Sequence, residues 1–283
     1  MAGLIVVGVD GSPSAAAAVE WAADDALSRG ARLRIVHVWE PWSYDFPLKA
    51  VPGSLGSLPA YWRGVLARAV DFVHGYAPAV ETSAALVTGA VSERLTAESE
   101  DADALILGSR GASGLTGMLL GSVGRAVAGH ATGPVVVVRR FAPTRHGEIV
   151  VGFDGSEPSL AALDYALQEA GARGARVRVL HAWRGRAFAR RGRDGPAESR
   201  EVQRRLEPWR ERYPDVRMVG WAVRGNPVRA LADASRSADL VVVGSRARGA
   251  FSSAVLGSVS HGVLRRAHCP VAIVRPRDPP AAR

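Results

Sequence analysis

The feature that most restricts what this chain can fold into is an internal repeat. Val7-Gly8-Val9-Asp10-Gly11-Ser12 returns 144 positions later as Val151-Gly152-Phe153-Asp154-Gly155-Ser156. Val36-His37-Val38-Trp39 returns at the same spacing as Leu180-His181-Ala182-Trp183. Beyond that point the spacing falls to 136. Leu107-Gly108-Ser109-Arg110 becomes Val243-Gly244-Ser245-Arg246, Gly121-Ser122-Val123 becomes Gly257-Ser258-Val259, and Pro134 to Arg139 becomes Pro270 to Arg275. The second copy is therefore 8 residues shorter, and the loss falls between Trp39 and Gly89, in a stretch that reads as a loop. A fixed self-similarity of this length means one architecture built twice. The break lies in Arg140 to Gly147, which places the domains at 1–142 and 143–283. That agrees with a prior of about two domains for 283 residues.

Each copy alternates strand and helix. Leu4 to Val9 is a short apolar run ending in Asp-Gly-Ser, the signature of a strand buried on both faces. Ser12-Pro13 is a helix start, with serine at the N-cap and proline at the first helical position. Val19, Ala22, Ala23, Ala26 and Leu27 give that helix one apolar face, and Gly30 ends it. Leu33 to Trp39, Ser83 to Val87, Ala104 to Leu107 and Val135 to Arg139 read as the remaining strands. Tyr61 to Gly75, Ser92 to Ser99 and Ser122 to Ala128 read as the intervening helices. The second copy follows the same order from Glu148 to Arg275. Right-handed crossovers then give an α/β architecture of two tandem, open, parallel five-stranded sheets with flanking helices.

Composition narrows the class. Hydrophobic residues make up 47% and charged residues 22% of the chain, which is ordinary for a globular protein. No run approaches the ~18 apolar residues of a membrane span. The first residues, Met1 to Ser12, lack the basic flank of a signal peptide, so a cytoplasmic location and no membrane partner are expected. A single cysteine, Cys269, excludes an intrachain disulfide and a cysteine-rich zinc site, and a free thiol at a turn is expected there. The net charge of +9 is uneven: residues 1–142 carry −2 and residues 143–283 carry +11, and Lys49 is the sole lysine. The basic half is either a polyanion surface or an arginine-rich solvated face. Neither aromatic interleaving nor a nucleic-acid reader motif accompanies it, so a nucleic-acid partner is not expected. Arg184 to Arg193, with five arginines, reads as a surface loop.

In an open parallel sheet, ligands bind beyond the carboxyl ends of the strands where the strand order reverses. Asp10 follows the first strand, and Gly108-Ser109-Arg110-Gly111 follows the fourth. Gly121-Ser122 then opens a helix. Glycines let backbone N–H groups approach a phosphate, and a helix N-terminus adds positive dipole. Ser122 can donate to a phosphate oxygen, and Asp10 can accept from a ribose hydroxyl or an adenine amine. Turn-forming glycines with no ligand are the alternative.

The string Gly108-x2-Gly111-x9-Gly121-Ser122 resembles the ATP-binding signature of the universal stress protein family. The V-G-V-D-G-S opening, the H-V-W strand and the closing Gly-Pro-Val-Val-Val-Val strand resemble it too, twice over nearly the whole chain. The resemblance is to tandem-domain members of that family. It implies ATP, with Mg²⁺, as the ligand, with Gly8, Val9 and Asp10 at ribose and adenine, and Val38 at adenine through its backbone. It further implies that Gly108, Gly111, Gly121, Ser122 and Val123 hold ribose and phosphates, with Ser109 and Arg110 in the same loop. The counterparts in copy two are Gly152, Phe153, Asp154, Ala182, Gly244, Ser245, Arg246, Gly257, Ser258, Val259 and Ser260. There Ala247 stands where the signature has its second glycine. If that position needs a positive φ, alanine costs on the order of 1–2 kcal/mol, so weaker or no binding is expected, unless Gly249 rescues the turn. Gly124 replaces the serine found at Ser260, removing a side-chain donor from the first site. The family resemblance also implies that the closing strands pair across a two-fold axis, here as an intrachain pseudo-dimer, and whole chains could pair further as a homodimer.

Other residues argue for binding without strong catalysis. No G-x-x-x-x-G-K-[ST] loop is present, no lysine sits in either phosphate loop, and no carboxylate is placed to activate a water, so no catalytic residue is assigned. His37 and His181 read as core histidines, with no metal ligand set around them, and the seven tryptophans as core or loop packing. The expected role is a nucleotide-responsive module in stress or dormancy. A slow ATPase, a cyclic AMP-binding module and a polyanion-binding protein are the alternatives.

Overall fold

The computed structural model describes residues 3–40, 58–110, 121–140, 145–183, 196–245 and 256–276. The chain forms two compact units, Met1–Ala131 with Val137–Phe141, and Thr132–Val136 with Ala142–Arg283.

The first unit contains β1 (Leu4–Gly8), α1 (Pro13–Arg29), β2 (Arg32–Trp39), α2 (Leu58–Tyr76), β3 (Thr82–Thr88), α3 (Val91–Glu98), β4 (Ala104–Gly108), α4 (Ser122–His130) and β5 (Val135–Val138). Every element expected from the sequence is present, with ends moved by one or a few residues. The strand order is β3-β2-β1-β4-β5. The chain steps outward from β1 to β2 and β3, then returns past β1 to β4. Parallel registers carry this order, with Gly8 opposite Val36 on β2 and opposite Leu107 on β4. Right-handed crossovers then place α1 and α2 on one face and α3 and α4 on the other. The packing agrees: α1 lies on β1, β4 and α2, whereas α3 lies on β2 and α4. The order reverses between β1 and β4, so the expected ligand loops leave neighbouring strands at the switch point.

Local chemistry fixes the elements. Ser12 caps α1, its hydroxyl accepting from the Ala15 amide at 3.2 Å, and Gly30 closes it in the left-handed conformation at φ 61°. Ile5, Val6, Val7, Leu105 and Ile106 are completely buried, as strands covered on both faces must be.

The second unit contains β6 (Glu148–Gly152), α5 (Glu157–Arg173), β7 (Arg176–Trp183), α6 (Pro196–Arg212), β8 (Met218–Arg224), α7 (Pro227–Ala234), β9 (Leu240–Gly244), α8 (Ser258–Arg266) and β10 (Val271–Val274). Its order, β8-β7-β6-β9-β10, is that of the first unit. Glu148, 2% exposed, begins β6 where copy one has Leu4, and it is held by Arg176 at 2.7 Å and by Arg178. The reading of every tryptophan as core or loop packing needs correction at β8. Trp221 is 45% exposed on this edge strand, with the Arg178 guanidinium 5.0 Å from its ring.

The two units differ most where α2 and α6 cover the sheet. In copy one Trp62 stacks on His37, ring centroids 4.0 Å apart. In copy two the same helical position is Glu198, and a cavity of about 290 Å³ opens beside His181, bounded by Phe153, Val202 and Glu201. Glu198→Trp should restore the missing ring and stabilise the chain by about 1 kcal/mol, read as a higher denaturant midpoint. An unchanged or lower midpoint would mean the cavity does not admit an indole.

Candidate functional site

The site is built where β1 and β4 end. Gly8 leaves no room for a side chain, since a Cβ there would meet Leu107 at 2.8 Å and Leu95 at 3.3 Å. Val9 is buried and its amide donates to the Val36 carbonyl at 2.8 Å, extending the strand beyond Gly8. Asp10 then turns the chain, its Oδ1 accepting from the Ser12 amide at 3.0 Å. Gly11 takes φ 77°, a left-handed conformation in which side chains are strained. Gly108 is the tightest position of the site. A Cβ there would lie 2.7 Å from the Ser14 carbonyl carbon and 2.9 Å from the Ala15 nitrogen, both backbone atoms of α1.

The two loops are sewn together. Ser12 Oγ donates to the Arg110 carbonyl at 3.3 Å, Ser14 Oγ donates to the same carbonyl, and Ser14 Oγ accepts from the Arg110 amide at 3.4 Å. Ser109 closes the end of β4. It is 2% exposed; its amide donates to the Val138 carbonyl at 2.8 Å and its carbonyl accepts from the Gly121 amide at 2.9 Å. Both backbone groups of Ser109 therefore hold the site together and are not available to a phosphate. The Gly121 bond brings the start of α4 to the end of β4. Unlike α1, α4 has no side-chain cap at Gly121, and Ser122 is exposed at its first position. Among the described residues the first-turn amides of α4 thus have no side-chain cap, the arrangement that binds anions. Val38 is buried on β2, and Val123 is half-buried on α4.

His37 shores up this end of the sheet. Its Nδ1 lies 2.6 Å from the Val9 carbonyl, so this nitrogen donates and carries the proton. Nε2 is enclosed beneath Trp62. Burial pushes the imidazole below its ordinary pKa, against smaller upward pulls from the Val9 carbonyl and Asp10. This is the core histidine expected from the sequence, and no cluster of metal-ligating side chains occurs among the described residues.

The second unit repeats most of this geometry. Gly155 takes φ 75°, and Asp154 Oδ1 accepts from the Ser156 amide at 2.9 Å. A Cβ on Gly244 would lie 2.7 Å from the Pro158 carbonyl, and one on Gly152 would meet Leu231 at 3.1 Å. The Ser245 amide donates to Val274, and the Gly257 amide to Ser245. Phe153 is buried, Ala182 half-buried, and Ser258 and Val259 open α8 behind an equally uncapped Gly257. Ser260 is 2% exposed and donates to the Gly244 carbonyl at 2.6 Å. It was expected to face the ligand; instead it ties α8 to β9. What Gly124 removes from copy one is this tie. Gly111, Arg246, Ala247 and Gly249 lie outside the described residues.

One contributor escaped the sequence analysis. Ser14 makes two of the three bonds that join the loops, and copy two has Pro158 in its place, with no hydroxyl to make them. The substitution between otherwise matching repeats was the available signal. At the turn expected to hold a free thiol, Cys269 is free, and burial pushes it up to about 12. A thiol so resistant to ionisation is a poor nucleophile.

The fold is an α/β unit built twice, its strand order reversing between β1 and β4 and again between β6 and β9. The Universal stress protein family model matches residues 1–139 and again 146–275. Universal stress protein MT2052 of Mycobacterium tuberculosis is 37% identical, the match covering 97% of this chain and 96% of the relative. Universal stress protein Rv2005c of the same species is 35% identical, with 96% of each covered. A crystal structure of a universal stress protein from Archaeoglobus fulgidus matches with a TM-score of 0.70 at 20% identity, covering 96% of this chain and 98% of that one. The chain belongs to the universal stress protein family, with two domains of that family in tandem. Among the described residues no helix is long and apolar enough to cross a membrane.

Two predictions follow from the loop geometry. Ser14→Ala should weaken any ligand held between β1 and β4 about fivefold, the worth of roughly one hydrogen bond, in a calorimetric titration with ATP. Unchanged affinity would show that the Ser14 bonds do not shape the site. Because His37 is harder to protonate folded than unfolded, its contribution is complete above its ordinary value of 6.5 and is lost as pH falls below it. Denaturation midpoints should therefore drop as pH falls below about 6.5, and His37→Gln should flatten that part of the profile.

Proposed function

We propose that the first unit binds an adenine nucleotide, ATP with Mg²⁺, and that the chain acts as a nucleotide-responsive module in stress or dormancy physiology. The observation that carries this is the bare N-terminus of α4, fastened to β4 by the Gly121–Ser109 bond and set across the switch point from Asp10. The amides of Ser122 and Val123 and the Ser122 hydroxyl would receive phosphate oxygens. The turn at Asp10 and the strand ends at Val9 and Val38 would receive the nucleoside. Mg²⁺ would neutralise phosphate charge there, and it needs few protein ligands because it keeps several of its own waters. Family membership favours the same ligand.

The donor set of the site is amides and hydroxyls, and Asp10 accepts from its own turn. Those groups bind and orient phosphate, and none is placed to take a proton from an attacking water. Binding is therefore favoured over hydrolysis. Copy two keeps the uncapped helix at Gly257 and loses the Ser14 hydroxyl, so its affinity would be the lower of the two.

Gly121→Asp is the sharpest test. Aspartate is a good N-cap, so α4 should keep its stability while its amides gain an internal carboxylate that repels phosphate. Calorimetry with ATP and Mg²⁺ should show one principal site per chain in the parent and at least tenfold weaker binding in the variant. Equal affinity would overturn the site. Tighter binding of cyclic AMP than of ATP would keep the site and change the ligand.

A further inference from the structure

The face of the first unit opposite α4 carries a second concavity. It lies between α1 and α2 and encloses about 1090 Å³. Gly8, Asp10, Val38, Gly121, Ser122 and Val123 do not line it; of the nucleotide set it touches only Val9, Ser109 and Arg110. Its walls are apolar: Val9 and Val65 are buried at its base, Ala15 and Val19 come from α1, and Ala69 and Phe72 from α2. Phe72 is 42% exposed, a large ring left toward solvent at the rim. At the end nearest the switch point stand Arg110, Arg139 and Arg140, and Arg68 stands on α2. Among the described residues the single carboxylate in the lining is Glu20, which burial and the nearby Asp24 hold above the usual carboxylate range. Arg139 is pulled down chiefly by burial and further by Arg110, so two guanidiniums share one partly dry corner.

Copy two supplies an internal control. The position of Val65 is taken by Glu201, that of Ala69 by Arg205, and that of Phe72 by Pro208. Glu201 pairs there with Arg205 at 2.7 Å and with Arg204, the counterpart of Arg68. The same helix face is thus neutralised from within in copy two, and in copy one it is an apolar wall beneath a cationic rim. The α1 end itself adds little, because Ser12 already caps it.

We propose that the α1–α2 groove of the first unit binds a small amphipathic anion from solution. A carboxylate or phosphate head would lie against Arg110, Arg139 and Arg140, and a hydrocarbon or aromatic body along Val65, Ala69 and Phe72. The head group answers the charge and the body answers the wall. A bilayer surface is not the occupant, because the apolar residues line a recess between two helices instead of a protruding face. The groove opens on the other face of the sheet from α4 and shares only Val9, Ser109 and Arg110 with the nucleotide set.

The test is calorimetry of the full chain with decanoate below its micellar range, run with and without saturating ATP. Decyltrimethylammonium is the charge-reversed control. Decanoate should bind at about one site per chain and the ammonium should not. The double variant Arg68→Glu/Arg140→Glu should weaken decanoate at least tenfold, and Ala69→Arg, which copies the second unit, should do the same by filling the groove. Arg68, Ala69 and Arg140 lie outside the nucleotide set, and an unchanged denaturation midpoint in both variants reports that they are folded. Absence of decanoate binding, equal binding of the ammonium, or indifference to both variants would overturn the proposal. So would binding confined to anionic phosphatidylglycerol vesicles.

Discussion

The whole architecture of each unit leans on one close approach, that of the first helix to the end of the fourth strand. At Gly108 the backbone of α1 sits where a side chain would begin, and at Gly244 the backbone of α5 does the same. A methyl group at either place would have to push a helix off its sheet, because backbone atoms cannot rotate away as a side chain can. That contact sets the depth at which α1 is seated. The depth in turn lets Ser12 and Ser14 reach the Arg110 backbone, and it opens the space between α1 and α2. The candidate site and the α1–α2 groove both border this contact.

Much of this was legible in the sequence. The repeat gave two alignments of one pattern, so each strand and helix was read twice, and all the elements were found. Gly30, Ser12 and Pro13 announced their roles because capping is a local matter settled within a few residues. The candidate site was legible to the level of its loops. What could not be read was the use to which each loop group is put. Ser260 looks like a ligand donor in a string of letters, and in three dimensions its hydroxyl ties α8 to β9, while the Ser109 backbone joins β4 to β5 and α4. Ser14 was overlooked for the converse reason: its bonds run to a residue 96 positions away, and no local rule predicts them. Trp221 shows a further limit, since an edge strand cannot be told from an inner one by its apolar content alone.

The comparison of the two copies sorts residues by purpose more finely than either copy could. Where both agree, as at the two tight glycines, the two left-handed turns and the two histidines bonded to a preceding carbonyl, the fold requires them. Where they part, at Ser14 and Pro158, Trp62 and Glu198, or Val65 and Glu201, the sheet is untouched and the upper faces diverge. The duplicated chain has kept one scaffold and altered what is laid over it.

The bond between the Gly121 amide and the Ser109 carbonyl also has a bearing on loop length. It fastens the two ends of the intervening segment within hydrogen-bonding distance, so the closure entropy of that segment is met by the fold before any ligand arrives. Because that entropy rises only with the logarithm of length, residues can be gained or lost between the two anchors at small energetic cost, while the amides of α4 stay where they are.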